Sequence, residues 1–467
     1  MIFSSYAFLL LFLPTVYGLF LLLRRFRMER AAPAVLLIAS LYFYAAWNWQ
    51  YLALLIGSVL ANYLLGQKVA AHRGKFWLAV AVAGNLAVLG YYKYAGFFFG
   101  FLPQSREWNI VLPLGISFFT FQQIAWQVDL HRRRLSSPGS LVHYGFFVSF
   151  FPQLIAGPIV HARTMLPQIS HGWLRRPLAW ELGVALLMVG LMKKVLLADP
   201  LAPAVDGLFS RAAQGEWLSG PEVLMAGLAY GLQLYFDFSG YADMALGLGL
   251  MFGIRLPVNF RSPYKSASIV EFWRRWHITL SHFLRDYLYI PLGGSRAGRF
   301  RANGNLMVTM LLGGLWHGAG WQFILWGGLH GAMLVLSHTW SRLVPWRIPR
   351  APAVILTLVA VMLAWIPFRA ESLATALHMY AGLLDWRWVW QFDAVTILRE
   401  LMSMRVDQGL PWVSLALLLL VLNAPGSRAL CLALGSWGRG LLVGAGIVVV
   451  LKVMAGEPDR AFLYFNF

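Results

Sequence analysis

The chain has 467 residues, of which 59% are hydrophobic and only 12% charged, and its formal net charge is +19. A soluble domain has about twice that charged fraction, so the composition excludes a soluble globular protein and predicts a polytopic membrane protein. A spanning helix takes about 20 residues, which leaves room for roughly 12 helices. The single cysteine, Cys431, excludes an intramolecular disulfide and a metal site built from several cysteines.

The basic excess limits the possible partners. In a soluble protein, a charge of +19 would suggest nucleic acid. Here most of the lysines and arginines lie in loops between apolar runs, where they set membrane topology and attract anionic lipid headgroups or phosphorylated ligands. We therefore expect the lipid bilayer as a partner and no nucleic acid.

Apolar runs give the order of the helices. Phe3–Leu23 has no positive charge before it, and Arg24, Arg25 and Arg27 follow it. Because positive residues remain in the cytoplasm and a cleaved signal carries its charge in front, we expect a retained first helix with a periplasmic N-terminus. Further apolar runs cover residues 32–47, 51–69, 76–101, 182–197, 306–312, 321–336, 353–368, 413–422 and 441–454.

Several segments depart from simple spanning helices. The helix that opens at Leu112 is polar for a membrane span, and we expect its side chains to hold helices together more than to contact a ligand. Tyr144–Ile159 contains Pro152 and the pair Gly157-Pro158, which predicts a kinked or re-entrant element. His161–Arg176 is amphipathic and is expected at a membrane surface, on a side that the sequence does not fix.

A capping box, Ser219 with Glu222, starts a helix that reaches Asp237 and Asp243. We expect a helix break at these two aspartates. At about 100° per residue they do not share a face, which argues against a catalytic carboxylate pair. Each is expected to bond amides freed at the break, or a nearby arginine.

The segment from Arg255 to Arg301 is the most basic in the chain and is predicted to be cytoplasmic. Within it, a second capping box, Ser268 with Glu271, predicts one helix through about Tyr289, lying in the cytoplasmic interface at residues 270–290. A helical wheel gives this helix a polar face and an apolar face. The polar face holds Glu271, Arg275, His282 and Asp286, and His277 is the one ionisable group on the apolar face.

Gly313–Trp321 places His317 among glycines and tryptophans inside an apolar region. Histidine is costly in such surroundings and indicates function, while the glycines let backbones or a substrate come close. A structural histidine bonded to a carbonyl remains the alternative, for His317 as for His277. Two inward-facing histidines favour a shared site, and His330 is a candidate for a supporting contact.

Five motifs in the same order resemble those of the membrane-bound O-acyltransferase superfamily, in particular its bacterial polysaccharide O-acetylation branch. They are Pro113–Phe118, Phe151–Pro158, Tyr235–Ala245, Glu271–His277 and Leu315–Gly318. The resemblance runs from about residue 3 to residue 467. It implies an all-α fold in the bacterial inner membrane, with the whole chain, 1–467, forming one domain. Re-entrant and horizontal helices would complete a funnel of about 12 spanning helices around a central tunnel.

The resemblance also implies the chemistry. The family's key histidine corresponds to His317 and a companion histidine to His277. An acetyl group would pass from cytoplasmic acetyl-CoA to a hydroxyl of an extracytoplasmic polysaccharide, such as alginate, cellulose or peptidoglycan, directly or through a periplasmic O-acetyltransferase partner. His317 would be the general base, and His277 would orient the hydroxyl or polarise the acyl carbonyl. A thioester is already activated, so no metal is required.

Three arginines of the basic segment are candidates for binding the phosphates of the donor, because guanidinium groups bind phosphate bidentately. They are Arg274, Arg275 and Arg285. A positive-inside loop explains each of them equally well.

The C-terminal tail, residues 462–467, contains four aromatic residues. Composition alone favours an interfacial anchor. The resemblance to an aromatic C-terminal motif of the branch implies instead that Tyr464 accepts the acetyl group and passes it to the periplasmic partner.

Two other functions remain open from the residues alone. A transporter or flippase of an acylated or lipid-linked substrate would also have a central cavity and intramembrane polar groups. A scaffold for a secreted acetylase would not need His317 at all.

Overall fold

A computed structural model describes residues 1–72, 74–99, 110–170, 172–296, 298–346, 348–385, 409–456 and 460–466, apart from the side chains of Tyr464 and Asn466. Within these ranges the regular structure is entirely helical, with no strand. The prediction of an all-α fold is therefore confirmed. The strong apolar character of the chain explains this, because a helix satisfies its own backbone hydrogen bonds without water.

The chain divides into two compact units. The first comprises Met1–Met192, Gly240–Val258 and Ser427–Asn466, and the second comprises Lys193–Ser239 and Asn259–Gly426. Both predicted histidines of the candidate site lie in the second unit.

The first unit contains the N-terminal helices and the last helices of the chain. Its α-helices are Leu13–Arg25, Ala32–Ala45, Gln50–Ala71, Phe76–Leu89, Ala95–Phe99, Ile116–His131, Leu141–Ser149, Phe151–Leu154, Ala162–Met165, Trp180–Met192, Ser427–Ala433 and Ser436–Gly456. The π-helical turn Ala7–Phe12 precedes the first of them, and Gly90–Tyr94 joins Phe76–Leu89 to Ala95–Phe99. Turns of 3-10 helix cover Leu166–Ile169, Trp173–Arg175 and Leu463–Asn466.

The second unit carries the candidate site. Its helices are Ala202–Ala213, Ile269–Arg275, Ile278–Leu284, Arg299–His317, Trp321–Leu343, Arg350–Arg369, Leu373–Leu384 and Leu410–Asn423. Shorter turns are the π-helical Lys193–Ala198 and Arg285–Tyr289 and the 3-10 Asp199–Leu201 and Pro263–Lys265. Gly220–Met251 belongs to this unit up to Ser239 and to the first unit from Gly240.

By length and composition, five described helices are suited to cross a membrane, or six if one bent pair counts as a single span. The five are Ala7–Arg25, Gln50–Ala71, Phe76–Phe99, Arg350–Arg369 and Ser436–Gly456, and the pair is Leu410–Asn423 with Ser427–Ala433. The first helix follows the predicted first span. The count of roughly 12 remains a prediction.

Polar side chains inside the first unit link helices to one another. The amide nitrogen of Asn85 donates to Asn62 Oδ1, 2.6 Å away, and Gln127 Nε2 donates to the backbone oxygen of Asn62 at 2.8 Å. In the same way, Gln123 Nε2 donates to Ser58 Oγ at 2.9 Å. All these groups except Ser58 are buried, so the interpretation of Gln123 as a residue that holds helices together is confirmed.

Two predictions about helix breaks have opposite outcomes. The break near Pro152 is confirmed, because Leu141–Ser149 ends at Phe150 and a separate turn, Phe151–Leu154, follows. The prediction of a break near Asp237 and Asp243 was wrong, because Gly220–Met251 is one continuous helix. The capping box that starts this helix is confirmed, since Glu222 Oε2 accepts from the backbone nitrogen of Ser219 at 2.8 Å.

Glycines bring two helices of the second unit into backbone contact. A methyl group added at Gly314 in Arg299–His317 would collide with the carbonyl oxygen of Phe323 and lie 3.1 Å from the Cα of Gly327. One added at Gly327 would collide with the carbonyl oxygen of Met310. The sequence expectation that glycines let backbones come close at His317 is therefore confirmed for these two helices.

This contact predicts different tolerances at two neighbouring glycines. Gly314→Ala must push the two helices apart and is expected to destabilise the protein by about 1–3 kcal/mol. Gly328→Ala is the matched control, because its added methyl group would meet only the Cδ2 of Leu311 at 3.5 Å, an ordinary contact. The thermal unfolding midpoint of detergent-purified protein measures the difference. Equal midpoints for the two variants would contradict the close contact.

Candidate active site

His317 is the last residue of Arg299–His317, directly before the Gly318-Ala319-Gly320 turn that leads into Trp321–Leu343. Its side chain is buried, with 5% of the residue exposed. Three aromatic rings surround the imidazole, with centroids 4.8 Å (Trp316), 4.9 Å (Trp326) and 5.1 Å (Phe368) away. The partial negative charge at a helix C-terminus favours a positive charge there, as on an imidazole that takes up a proton.

His277 lies at a break in the helix that the sequence predicted to run from Ser268 to Tyr289. That prediction was wrong, because the helix ends at Arg275 and a second helix begins at Ile278. Trp276 is extended (φ −99°, ψ 129°), and His277 is in the left-handed region (φ 42°, ψ 53°). A residue other than glycine occupies this region at a cost, so its surroundings must hold it there.

The start of this segment follows the sequence prediction. Ser268 Oγ accepts from the backbone nitrogen of Glu271 at 3.1 Å, so the capping box is present. Glu271 also forms an i,i+4 ion pair with Arg275 at 2.7 Å, as their shared place on the predicted polar face allows. His282 is exposed and His277 is only 1% exposed, which confirms that the two histidines point to different environments.

Asn259 holds the break in place. Its backbone oxygen accepts from the backbone nitrogen of Ile278 at 3.0 Å. Its side-chain oxygen accepts from the backbone nitrogen and hydroxyl of Thr279, at 3.2 and 2.9 Å, and lies 3.2 Å from His277 Nδ1. Asn259 is itself 1% exposed. Sequence reasoning missed it, although an asparagine within the apolar run Leu256–Phe260 was a signal, since a buried amide needs partners.

The two imidazoles share an aromatic neighbour. The ring of Trp316 lies 4.8 Å from that of His317 and 6.4 Å from that of His277. On another side, Phe238 meets His277 edge-on at 4.8 Å. Burial lowers the pKa of His277 to about 3, so this side chain is neutral near pH 7 and able to accept a proton. That both histidines serve one substrate remains a prediction.

His330 is linked to His317 through the ring of Trp326. The indole nitrogen of Trp273 donates to His330 Nδ1 at 3.3 Å. The ring of Trp326 contacts both histidines: its centroid is 4.9 Å from that of His317 and 4.8 Å from that of His330. His330 thus contacts a ring that contacts His317, which agrees with the supporting role proposed from the sequence.

The three arginines predicted to bind donor phosphates differ in whether they form an ion pair with a carboxylate. Arg275 pairs with Glu271, and Arg285 pairs with Asp286 at 2.7 Å. Arg274 is exposed and makes no ion pair within the described ranges. Phosphate binding by any of them remains a prediction.

The side chain of Tyr464, the predicted acyl carrier, lies outside the described residues. Two residues earlier, Phe462 is buried, with 1% exposed, and its ring meets that of Tyr241 edge-on at 5.0 Å. The tail is therefore anchored on the Tyr235–Ala245 motif, and the anchor itself is Phe462.

Asp237 has a different partner from those that the sequence suggested. Lys194 Nζ lies 2.7 Å from Asp237 Oδ1 and 2.8 Å from Asp199 Oδ1. The side chains of Lys194 and Asp237 are 1% and 2% exposed, so the pair is buried. Because the next residue, Phe238, packs on His277, this ion pair fixes the helix turn that supports the candidate site.

Comparison with known proteins identifies the class. The model of the membrane-bound O-acyltransferase family matches residues 41–375. The chain belongs to this family, and it is an acyltransferase. The family match covers His277 and His317 as well as Asn259, and it agrees with the resemblance found in the motifs.

Two of the relatives described here cover most of the chain, and a third covers about half of it. It is 41% identical over 425 residues to the peptidoglycan O-acetyltransferase of Helicobacter pylori, covering 82% of this chain and 80% of that protein. It is 43% identical over 413 residues to the probable alginate O-acetylase AlgI of Azotobacter vinelandii, covering 83% and 79%. The teichoic acid D-alanyltransferase of Streptococcus thermophilus is 30% identical over 239 residues, covering 49% and 57%.

The buried ion pair predicts a non-additive effect on stability. Lys194→Met leaves the Asp237 carboxylate buried without its nearest cation, which is expected to cost about 3–5 kcal/mol. Lys194→Met combined with Asp237→Leu is expected to recover most of that loss, because both fully buried charges are then removed and the remaining carboxylate, Asp199, is 24% exposed and reaches solvent. The measurement is thermal unfolding of the purified protein in detergent.

The control for this series is Asp206→Asn, which removes the partner of Arg369 in an ion pair whose Asp206 side chain is 51% exposed. It is expected to change stability by less than about 1 kcal/mol. If the double variant is no more stable than Lys194→Met alone, the pair does not act as a buried unit.

Proposed function

We propose that the protein transfers an acetyl group from cytoplasmic acetyl-CoA to an extracytoplasmic polysaccharide, working with a periplasmic O-acetyltransferase partner. The similarity to a peptidoglycan O-acetyltransferase and to a probable alginate O-acetylase supports an acetyl group and a polysaccharide acceptor. Membership of an acyltransferase family decides against a transporter without chemistry. Under this proposal the chain lies in the bacterial inner membrane with its N-terminus in the periplasm.

One observation carries the proposed chemistry: two buried histidines contact the same tryptophan, and one of them is the last residue of the 19-residue helix Arg299–His317. A neutral imidazole is suited to take a proton near pH 7. The surrounding rings of Trp316, Trp326 and Phe368 limit access of water to His317. Water near a bound thioester would hydrolyse it, so an aromatic enclosure favours transfer over loss of the acetyl group.

The proposed reaction is a single acyl transfer. His317 takes the proton of the acceptor hydroxyl as the hydroxyl oxygen forms a bond to the thioester carbonyl carbon. The carbon–sulfur bond then breaks, and the leaving thiolate takes up the proton from the imidazolium, so that an acetyl ester and free coenzyme A thiol result. Neutral His317 is regenerated, and no net proton is consumed.

The donor would be held from the cytoplasm. We assign its phosphates to Arg274, Arg275 and Arg285, which belong to the basic segment 255–301. Arg274 is the best placed of the three, because the other two already pair with carboxylates. A phosphate could displace either of these partly exposed pairs at small cost, since ion pairs within reach of solvent contribute little.

The acceptor side would use the tail. We propose that the hydroxyl of Tyr464 receives the acetyl group and that the periplasmic partner then moves it to the polysaccharide. Phe462, seated against Tyr241, would hold the tail in place during this step. A tyrosine hydroxyl has an ordinary pKa near 10 and needs a base to attack, which gives His317 its role.

His317→Ala tests the chemistry directly. Removing a general base is expected to lower acetyl-CoA turnover by purified protein about 10²–10⁴-fold. His72→Ala, at an exposed histidine, is the control and should keep wild-type turnover. Release of coenzyme A thiol measures the rate. Equal turnover by the wild type and His317→Ala would rule out the assigned base.

Tyr464→Phe tests the relay. In the wild type, labelled acetyl-CoA should leave an acetyl group on the C-terminal peptide, detected by mass spectrometry. Tyr464→Phe should carry no label and should abolish polymer acetylation in cells, while Tyr42→Phe, an exposed control, should behave as the wild type. Full polymer acetylation by Tyr464→Phe would make Tyr464 an anchor and not an acyl carrier.

A further inference from the structure

The orientation of the Asn259 side chain is fixed by its neighbours. Its Oδ1 lies 3.2 Å from the backbone nitrogen of Thr279. A backbone N–H can only donate, so the atom facing it must be the amide oxygen and not the NH2 group. The Thr279 hydroxyl, 2.9 Å from the same oxygen, is compatible with this orientation as a second donor. The usual ambiguity of an asparagine amide is therefore removed by the contacts.

This orientation determines which nitrogen of His277 carries a proton. His277 Nδ1 lies 3.2 Å from the same Asn259 oxygen. A carbonyl oxygen has no hydrogen to give, so Nδ1 must be the donor. A neutral imidazole carries one N–H, and Nε2 then holds the lone pair. Any group that approaches Nε2 must therefore bring a hydrogen.

His277 is held in the neutral form by its surroundings. The side chain is 1% exposed and is packed against the rings of Phe238 and Trp316. Burial is the dominant influence on its pKa, which it lowers, and no charged side chain in the described ranges contributes to the shift. A second titratable group, His317, has its ring 4.8 Å from that of the same Trp316. The one-proton imidazole is thus the species that meets a substrate.

We propose that Asn259 is a positioning residue that holds His277 as the Nδ1–H tautomer, so that Nε2 accepts a hydrogen bond from the attacking hydroxyl during acyl transfer. The inference rests on the proposed function and decides between two roles for His277. Polarising the acyl carbonyl requires an N–H aimed at its oxygen, and Nε2 of this tautomer has none. Orienting the hydroxyl, with its hydrogen towards Nε2, is the role that fits.

The same asparagine fixes where the imidazole stands. Its backbone oxygen bonds the nitrogen of Ile278, and its side-chain oxygen bonds the nitrogen of Thr279, the two amides that follow His277. These bonds maintain the left-handed backbone at His277. The position of the His277 imidazole and its tautomer therefore both depend on Asn259. The measurements must separate these two effects.

The first measurement reads the tautomer by nitrogen NMR of protein labelled with ¹⁵N-histidine, with the signals of His277 identified by their loss in His277→Gln. The expected result is a neutral ring with its proton on Nδ1. His330 is an internal reference with the opposite tautomer, because Trp273 Nε1 can only donate to its Nδ1. A neutral His277 with its proton on Nε2 would overturn the proposal.

The second measurement compares substitutions at position 259. Asn259→Leu removes the acceptor and is expected to lower acetyl-CoA turnover about 10–100-fold, by analogy with residues that orient a metal-ligating histidine. It should also release His277 from the Nδ1–H tautomer. Asn305→Leu, outside the site, is the matched control for loss of an asparagine and should keep wild-type turnover.

Asn259→Asp should still hold the backbone at the helix break, because its carboxylate can accept the same hydrogen bonds from Thr279 and His277. It should retain much of the activity lost in Asn259→Leu. The carboxylate also raises the pKa of His277, so His277 stays protonated to higher pH and the acid-side loss of activity should move to higher pH than in the wild type. An unshifted pH profile in an active Asn259→Asp protein would contradict contact with His277.

These results distinguish the two proposals. If neither the wild type nor any variant turns over acetyl-CoA, the proposed donor chemistry fails. The NMR measurement of the His277 tautomer still tests the role of Asn259 in that case. If turnover depends on His317 but His277 carries its proton on Nε2, the proposed function stands and the role of Asn259 is refuted. Should Asn259→Leu fail to fold, the wild-type tautomer and the Asn259→Asp profile decide alone.

Discussion

The candidate site depends on a local break in the helix at Trp276 and His277. A left-handed residue other than glycine costs about 1–3 kcal/mol, and such a residue persists only when its surroundings determine it. Here the segment that contains Asn259 and Arg261 supplies that support. Backbone hydrogen bonds join Arg261 to Arg275, at 2.9 Å, and Asn259 to Ile278, at 3.0 Å, on either side of the break. Without these bonds the i→i−4 pattern could continue through residue 277, and the imidazole would point elsewhere.

Aromatic packing gives the site its electrostatic character. His277 and His317 are both buried among rings of phenylalanine and tryptophan. Each hydrogen bond or charge in such surroundings acts more strongly than it would in water. The cost of placing a polar group there is correspondingly large, which is why the three hydrogen bonds around Asn259 Oδ1 matter more than equivalent bonds at a surface.

A second polar element supports the site from the Gly220–Met251 helix. Asp237 is neutralised by Lys194, and the adjacent Phe238 packs on His277. A buried ion pair rarely adds much stability compared with apolar residues of the same size. Here the ion pair orients the helix Gly220–Met251. Lys194 can reach the Asp237 carboxylate only when the face of the helix that carries Asp237 is turned towards the π-helical turn Lys193–Ala198.

The sequence by itself determined the class of the protein, the two helix starts at Ser219 and Ser268, and the burial of His277 and His317. The class follows from the resemblance of five motifs to a known family. The other features follow from apolar surroundings, from periodicity and from capping contacts three residues apart, all of which are local. Only the tertiary structure decided that the helix breaks at His277, that it does not break at Asp237, and that Asn259 directs the imidazole. The reason is separation along the chain. Asn259 lies 18 residues before His277 and Lys194 lies 43 before Asp237, so neither partner influences the local pattern from which a helix is predicted.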